Sequence, residues 1–358
     1  MAGRMNVLFV LDHRLMHYRA PLFERLSKWH DVVVVHRGPI LGGEWSFKQE
    51  VVTYRKTGPF DLVSASVAPE VDVLVVMQNL RLIQYWLLPF MFWRPYALVF
   101  WGIGVSSSGG LAKKRNLLSR VRGFCSSFAD GIGFYSSYPL DFYPRRAIEK
   151  AVVVGNSVES PSAENTAENP KDSILFIGTL DARKGLPLLF RAFARYLKTL
   201  PASSDVRVLR VVGDGAMRRE LEVLAADLNI SGAVRFEGAV TDAERKKAFF
   251  ASAAVTVSPL QAGLSVAESF SFGVPYITHL NPISGGEYLS IKDGENGFLF
   301  ETEDDLLAVL QRVGGNAEER VRLGNNAYDF YCQNLQMSQY AERFDKLLRE
   351  SYERFKKS

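Results

Sequence analysis

The feature that most constrains the fold is a recurrence of short, unbroken apolar runs. NVLFVL, DVVVVH, DVLVVM, YALVFW and AVVV come first, then ILFI, VRVLRVV and AVTV. Runs without alternation suit strands buried on both faces, which is the condition of a parallel sheet. Helical patterns separate many of them, such as PLFERLSKW after the first and LPLLFRAFARYL after ILFI. Parallel neighbours need crossovers of this kind, so the expected class is α/β. A length of 358 residues favours two domains over one large barrel.

The boundary is expected where periodicity stops. Between Glu159 and Ser173 the chain reads ESPSAENTAENPKDS, with almost nothing to bury. Residues 158–172 are therefore read as a linker between two Rossmann-like domains, 1–157 and 173–337, each with its own β-first series. Residues 338–358 read as a charged amphipathic helix.

Composition narrows the functional classes. Apolar residues make up 47% and charged residues 23%, which excludes a disordered or collagen-like chain. A net charge of +4 is too mild to point to nucleic acid. Cys125 and Cys332 have no metal-ligand spacing, so no metal site is expected and a reducing cytoplasm is. The first apolar run ends at Asp12, too soon for an export signal, and Arg81–Val105 is broken by Pro89, Arg94 and Pro95. No transmembrane helix is expected.

Charge is unevenly placed. From Val73 to Ala129 there are seven basic residues, Arg81, Arg94, Lys113, Lys114, Arg115, Arg120 and Arg122, and no acidic one. Leu117, Leu118, Val121, Phe124 and Phe128 follow helical spacing there, with Trp86, Phe90, Phe92 and Trp93 just upstream. Two readings stand: a core-packed helix with a solvated basic rim, or a patch for an anionic membrane surface.

Two turns carry candidate chemistry. After ILFI, Gly178 to Gly185 includes Arg183 and Lys184 at a helix start, the unfavourable end of the helix dipole for cations. A bound phosphate would reverse that sign, and a solvated charge pair is the alternative. After AVTV, the run Ser258 to Pro275 reads strand, Gly-containing turn, helix and Gly-Val-Pro stop. Ser265 and Glu268 there have the spacing of a capping box; equally, Gly263 would let a ligand approach backbone amides while Glu268 accepts from a ribose diol. His13 and His17 follow the first strand, where open α/β sheets bind ligands. His17, Tyr18 and Arg19 are read either as acceptor or sugar contacts or as ordinary loop packing.

GLSVAESFSFGVPYIT followed by NPISGGEYLSIKDGENGFLF, with IGTLDARKG upstream and VVGDGAMRRELE between, resembles family 4 glycosyltransferases of the GT-B fold. The first βαβ unit, HYRAPLFERLSKWHDVVVVH, and the segment ADGIGFYSSYPLDFY extend the likeness over nearly the whole chain. The resemblance implies two Rossmann-like domains, an interdomain cleft and a last helix that packs back on the first domain. It implies a retaining, metal-independent enzyme with no cofactor, moving a hexose-type sugar from a UDP- or GDP-sugar to a glycan or lipid-linked acceptor. Such an enzyme would serve cell-surface polysaccharide or glycolipid synthesis, in the cytoplasm or on the inner face of the cytoplasmic membrane.

By residue, the resemblance gives the donor diphosphate to Arg183, Lys184 and the Gly263, Leu264 and Ser265 amides, and the ribose to Glu268. Gly213, Asp214 and Gly215, with the turn Phe236–Val240 that holds Glu237, Gly238 and Val240, would surround the nucleotide. Gln261 is the polar candidate nearest the sugar. The sequence departs from the family pattern at three places. Leu260 stands where the first carboxylate of Glu-x7-Glu belongs, Thr179 where many relatives carry Arg, and Ile103 where Trp-Gly-His-Gly has its imidazole. Two alternatives follow: a sugar-nucleotide isomerase or hydrolase of the same fold, and a nucleotide-binding partner subunit without turnover.

Overall fold

A computed structural model describes residues 3–65, 67–105, 117–160, 163–200 and 204–358. The described chain forms two compact units. One runs to Glu159 and takes back Gln336–Ser358; the other is Ser160–Leu335.

The first unit contains strands β1 Asn6–Val10, β2 Asp31–His36, β3 Lys48–Val51, β4 Tyr54–Thr57, β5 Phe60–Val63, β6 Val73–Met77, β7 Ala97–Gly102, β8 Gly131–Phe134 and β9 Ala151–Val153. Its helices are α1 Ala20–Leu26, α2 Leu117–Ser126 and α3 Arg145–Ile148. Seven strands make one parallel sheet in the order β3-β2-β1-β6-β7-β8-β9, while β4 and β5 pair as a separate antiparallel hairpin. The five apolar runs of the first half are strands of this sheet, and β6 and β7 are buried throughout.

The second unit contains β10 Ser173–Ile177, α4 Leu186–Lys198, β11 Val208–Val212, α5 Arg218–Asp227, β12 Val234–Gly238, α6 Ala243–Ser252 and β13 Ala253–Val257. It continues with α7 Ser265–Phe270, β14 Tyr276–His279, β15 Gly297–Phe300, α8 Glu303–Gly315 and α9 Ala317–Asn334. Its six strands are parallel in the order β12-β11-β10-β13-β14-β15. In both sheets the chain first builds outward on one side of the opening strand and then crosses to the other. The switch points therefore lie between β1 and β6 and between β10 and β13, where open α/β sheets take ligands at the carboxyl ends of their strands.

Two expectations are revised here. The stretch read as a linker is in part bound structure: residues 163–172 are held on the second unit. The Glu164 and Thr166 amides donate to the Ser271 and Phe272 carbonyls at 3.1 and 3.0 Å, and Lys171 Nζ donates to the Ala251 carbonyl at 3.0 Å. Backbone hydrogen bonding holds it, and apolar periodicity does not report that. Phe236 to Gly238, read as part of a turn, form the end of β12, leaving only Ala239 and Val240 beyond it.

The last helix, α10 Met337–Lys357, belongs to the first unit. Its Phe344 ring lies 5.5 Å from Phe9 and 5.2 Å from Trp101, all three fully buried. Gly131 and Gly133 of β8 admit it: a Cβ on Gly131 would stand 1.9 Å from Ser351 Oγ. A part-buried polar pair, His30 Nε2 with Asp345 Oδ1 at 2.7 Å, ties the residue before β2 to the same helix. Truncating Phe344 removes a ring from a packed aromatic cluster, so Phe344→Ala is expected to cost about 3–5 kcal/mol. Denaturant unfolding followed by tryptophan fluorescence measures it, since Trp101 is a direct neighbour.

Candidate functional site

The site in the second unit is assembled at the ends of β10, β11, β12 and β13. Gly178 and Gly213 follow β10 and β11, and the Gly178 amide donates to the Val212 carbonyl at 2.9 Å. The Gly213 amide donates to the Gly238 carbonyl at 2.7 Å. Gly213 has φ +140°, and a Cβ there would overlap the Gly178 carbonyl oxygen at 1.8 Å. Only glycine satisfies both conditions, so three strand ends close on one another through bare backbone. The Leu180 amide then donates to the Asp214 carbonyl at 3.0 Å, and Asp214 Oδ1 accepts from the Gly215 amide at 2.7 Å.

The loop after β10 carries the two cations, and the structure separates them. Asp181 accepts from the Arg183 amide at 3.0 Å and from Arg183 Nη2 at 2.9 Å. Arg183 is 65% exposed and committed to that carboxylate, which also accounts for a cation at this helix start. The Lys184 ammonium has no hydrogen bond or ion pair to another described residue. Burial, with Arg183 adding to it, holds its ammonium below the usual lysine pKa.

The loop after β13 meets this one directly. The Leu260 amide donates to the Lys184 carbonyl at 3.1 Å, and the Leu260 side chain lies over Gly185. Two further bonds pin the loop, Ser258 Oγ to the Gln261 carbonyl at 2.7 Å and Thr278 Oγ1 to the Ser258 carbonyl at 2.8 Å. Gln261 Oε1 is buried without a partner. A Cβ on Gly263 would meet nothing within 4 Å, and the Gly263, Leu264 and Ser265 amides donate to no described residue.

The capping box is not formed. Helix α7 is capped at Leu264 without a side-chain bond, because Ser265 Oγ is paired with the Tyr276 hydroxyl at 2.7 Å. The Glu268 carboxylate instead accepts from Lys246 Nζ on α6 at 2.9 Å. Glu237 is likewise paired, with Arg210 of the adjacent strand at 2.5 Å, and Val240 packs against the apolar cluster around Phe250 and Phe272.

Sequence reasoning missed Lys246 and Glu287. Glu287 accepts from the Gly285 amide at 2.7 Å and from Ser284 Oγ at 3.0 Å, and its field favours the charged form of Lys184. The segment SGGE was its only signal, while Lys246 stands 22 positions before its partner with nothing local to mark it.

In the first unit, His17 is exposed and makes an edge contact with Tyr18, ring centroids 5.7 Å apart. Arg19 turns inward: its guanidinium lies 4.8 Å from the Trp101 ring centroid, and Nη2 donates to the Tyr135 hydroxyl at 2.9 Å. Ile103 packs against the first unit's core, and Thr179 is exposed. Among the described residues no group of three His, Cys, Asp or Glu side chains is arranged to hold a metal.

Residues 158–330 match the family model described as glycosyl transferases group 1. A D-inositol 3-phosphate glycosyltransferase from Thermomonospora curvata is 34% identical over 170 residues, 44% of this chain and 38% of that protein. The lipopolysaccharide core biosynthesis glycosyltransferase LpsE of Rhizobium meliloti is 30% identical over 171 residues, 45% of this chain and 46% of that one. The alignments thus span about two fifths of the length of these curated relatives.

Among solved structures, the lipopolysaccharide outer core galactosyltransferase WaaB aligns with a TM-score of 0.66 at 15% identity, over 96% of this chain and 99% of that one. Anabaena HepE in complex with UDP-glucose aligns with a TM-score of 0.67 at 17% identity, over 97% and 100%. The fold is GT-B. With this fold, and with residues 158–330 matching glycosyl transferases group 1, the chain is similar to GT-B glycosyltransferases.

Gly213→Ala tests the backbone closure of the site. It forces a Cβ into the Gly178 carbonyl at a φ that L-residues avoid, so it is expected to destabilise by more than about 1 kcal/mol. A melt should shift down by roughly 2–4 °C or more.

Proposed function

We propose that the chain is a retaining glycosyltransferase that moves a hexose-type sugar from a nucleoside diphosphate sugar to a glycan or lipid-linked acceptor. The observation that carries this is the meeting of the Lys184 loop and the Gly263 loop at the switch point between β10 and β13. It joins an unpartnered, half-buried ammonium to three free backbone amides. Such a set stabilises a departing diphosphate beside an oxocarbenium-like sugar with fixed charges and dipoles, and needs no metal to do so. The names of the relatives, which act on inositol phosphate and lipopolysaccharide core, support a role in glycolipid or cell-surface polysaccharide synthesis.

Lys184 takes the diphosphate. Arg183 joins it only by leaving Asp181, an exposed pair weak enough to be exchanged. Glu268 takes the ribose while Lys246 orients its carboxylate. Leu260 offers no carboxylate to the sugar, which leaves the Gln261 amide as the polar group of that loop. The same departure favours the second reading, a nucleotide-binding subunit without turnover.

Incubation with a panel of UDP- and GDP-sugars, with and without lipid-linked acceptors, separates the readings. Acceptor-dependent release of nucleoside diphosphate is expected. Acceptor-independent conversion would make it an isomerase or hydrolase, and binding without turnover a partner subunit. In calorimetry Lys184→Ala should weaken nucleoside diphosphate binding by roughly 1.5–3 kcal/mol, the worth of one charge-assisted hydrogen bond. Unchanged affinity would remove Lys184 from the site.

A peripheral position on an anionic membrane fits the first unit. Leu117, Leu118, Val121 and Phe124 of α2 are exposed, against the reading of a core-packed helix. Phe92 and Trp93 are 77% and 76% exposed, and Phe90 stands 6.4 Å from Phe124, which joins the two segments into one apolar patch. The basic rim is smaller than the sequence count: Arg94 is buried on Asp130, Arg122 is buried, and Lys113, Lys114 and Arg115 lie outside the described residues. None of the described helices is long and apolar enough to cross a membrane. Replacing Phe92 and Trp93 together by Ser should lower co-sedimentation with anionic liposomes about tenfold or more, given the apolar area removed. Equal binding would make the patch a protein contact.

A further inference from the structure

The first unit has a switch point of its own, and a polar cluster occupies it. Asp12 follows β1 and Asn79 follows β6, the two strands that flank the switch, and Asn79 Nδ2 donates to Asp12 Oδ2 at 2.7 Å. Arg19 closes the same loop as Asp12. Its guanidinium Nε and Nη1 are buried without a hydrogen-bond partner, and Asp12 Oδ1 is buried with no hydrogen bond, 3.7 Å from His13 Nε2.

The fold does not account for this guanidinium. Its neighbours are the Trp101 and Tyr18 rings, the ring and hydroxyl of Tyr135, and Tyr340 of α10, none of them a carboxylate. No carboxylate among the described residues lies within ion-pair distance of Arg19, although its partner-free nitrogens sit inside the unit. A buried cation without a counter-ion is costly, and an apolar side chain would pack against Trp101 with no such cost. Stacking on an indole compensates one face of a guanidinium and leaves its in-plane N–H groups unsatisfied. Each of those N–H groups is a donor of the kind that carboxylate and phosphate oxygens accept from. The neighbouring imidazole does not add a second cation, since burial and the field of Arg19 hold the His13 pKa below its ordinary value.

We propose that Arg19 binds an anionic group, phosphate or carboxylate, carried by the acceptor substrate. That the ligand is the acceptor rests on the glycosyltransferase reading, in which the donor is held by the second unit; that it is an anion rests on the first unit alone.

The test uses the full chain. Melting temperature is measured against inorganic phosphate and against glucuronate, with chloride at matched ionic strength as the reference, for wild type, Arg19→Lys and Arg19→Gln. The Nε–H resonances of the arginines are followed in the same titrations of wild type. Wild type should gain stability in one anion series, with one arginine Nε–H shifting saturably and staying unmoved by UDP. Affinity should fall tenfold or more in Arg19→Gln and less in Arg19→Lys. A phosphate response assigns a phosphorylated acceptor, and a glucuronate response an acidic sugar.

If no arginine resonance responds to either anion, or if Arg19→Gln binds as tightly as wild type, the proposal is overturned and Arg19 is a structural strut. Should Arg19→Gln fail to fold, the wild-type resonance titration and Arg19→Lys still decide. Anion binding through Arg19 in a chain that transfers no sugar would defeat the acceptor assignment and leave the anion site standing.

Discussion

A parallel strand buried on both faces can present side chains to a ligand only at its ends, and nearly everything functional in this chain follows from that constraint. The sheet faces are filled by apolar side chains and covered by crossover helices. The carboxyl ends alone remain for polar loops, and they are free to part only where the strand order reverses. Both sheets reverse beside their opening strand, so each unit holds one such switch point. In the second unit those loops carry Lys184 and Gly263; in the first they carry Asp12 and Asn79.

Within the second unit, the site is built more from backbone than from side chains. Gly178, Gly213 and Gly238 bring three strand ends into hydrogen-bonding contact, and a single methyl group would part them. The side chains around that frame divide by whether they are already paired. Arg183, Glu237 and Glu268 have partners, in Asp181, Arg210 and Lys246. Lys184 and Gln261 Oε1 do not, and they sit on the two loops that touch through the Leu260 amide. A ligand that satisfies the unpaired groups gains most, because they are partly desolvated before it arrives.

The first unit shows a complementary economy. Its core depends on a helix from the far end of the chain, which supplies Phe344 to the cluster of Phe9, Phe23 and Trp101. The same indole faces the Arg19 guanidinium. One tryptophan thus connects the C-terminal helix, the sheet and the polar loop after the first strand.

The sequence by itself determined the class, the location of the long buried strands and the loops that bear the site, because unbroken apolar runs and glycine-bearing turns are local signals. It also placed Lys184, Gly263 and Arg19 in the segments that follow buried strands, while the family resemblance supplied Gly213. Short or glycine-rich strands such as GIGF and GFLF escaped it, since four residues carry no period. What the tertiary structure decided is pairing. That Glu268 meets Lys246 and not the cap of its own helix, that Asp181 occupies Arg183, and that α2 exposes its apolar stripe are all contacts between or beyond elements. Residues distant in sequence set them, so no local window contains both partners. The bound path of residues 163–172 is of the same kind: its hydrogen bonds go to carbonyls about 80 to 110 positions away, and a composition that reads as a linker says nothing about where such backbone groups find partners.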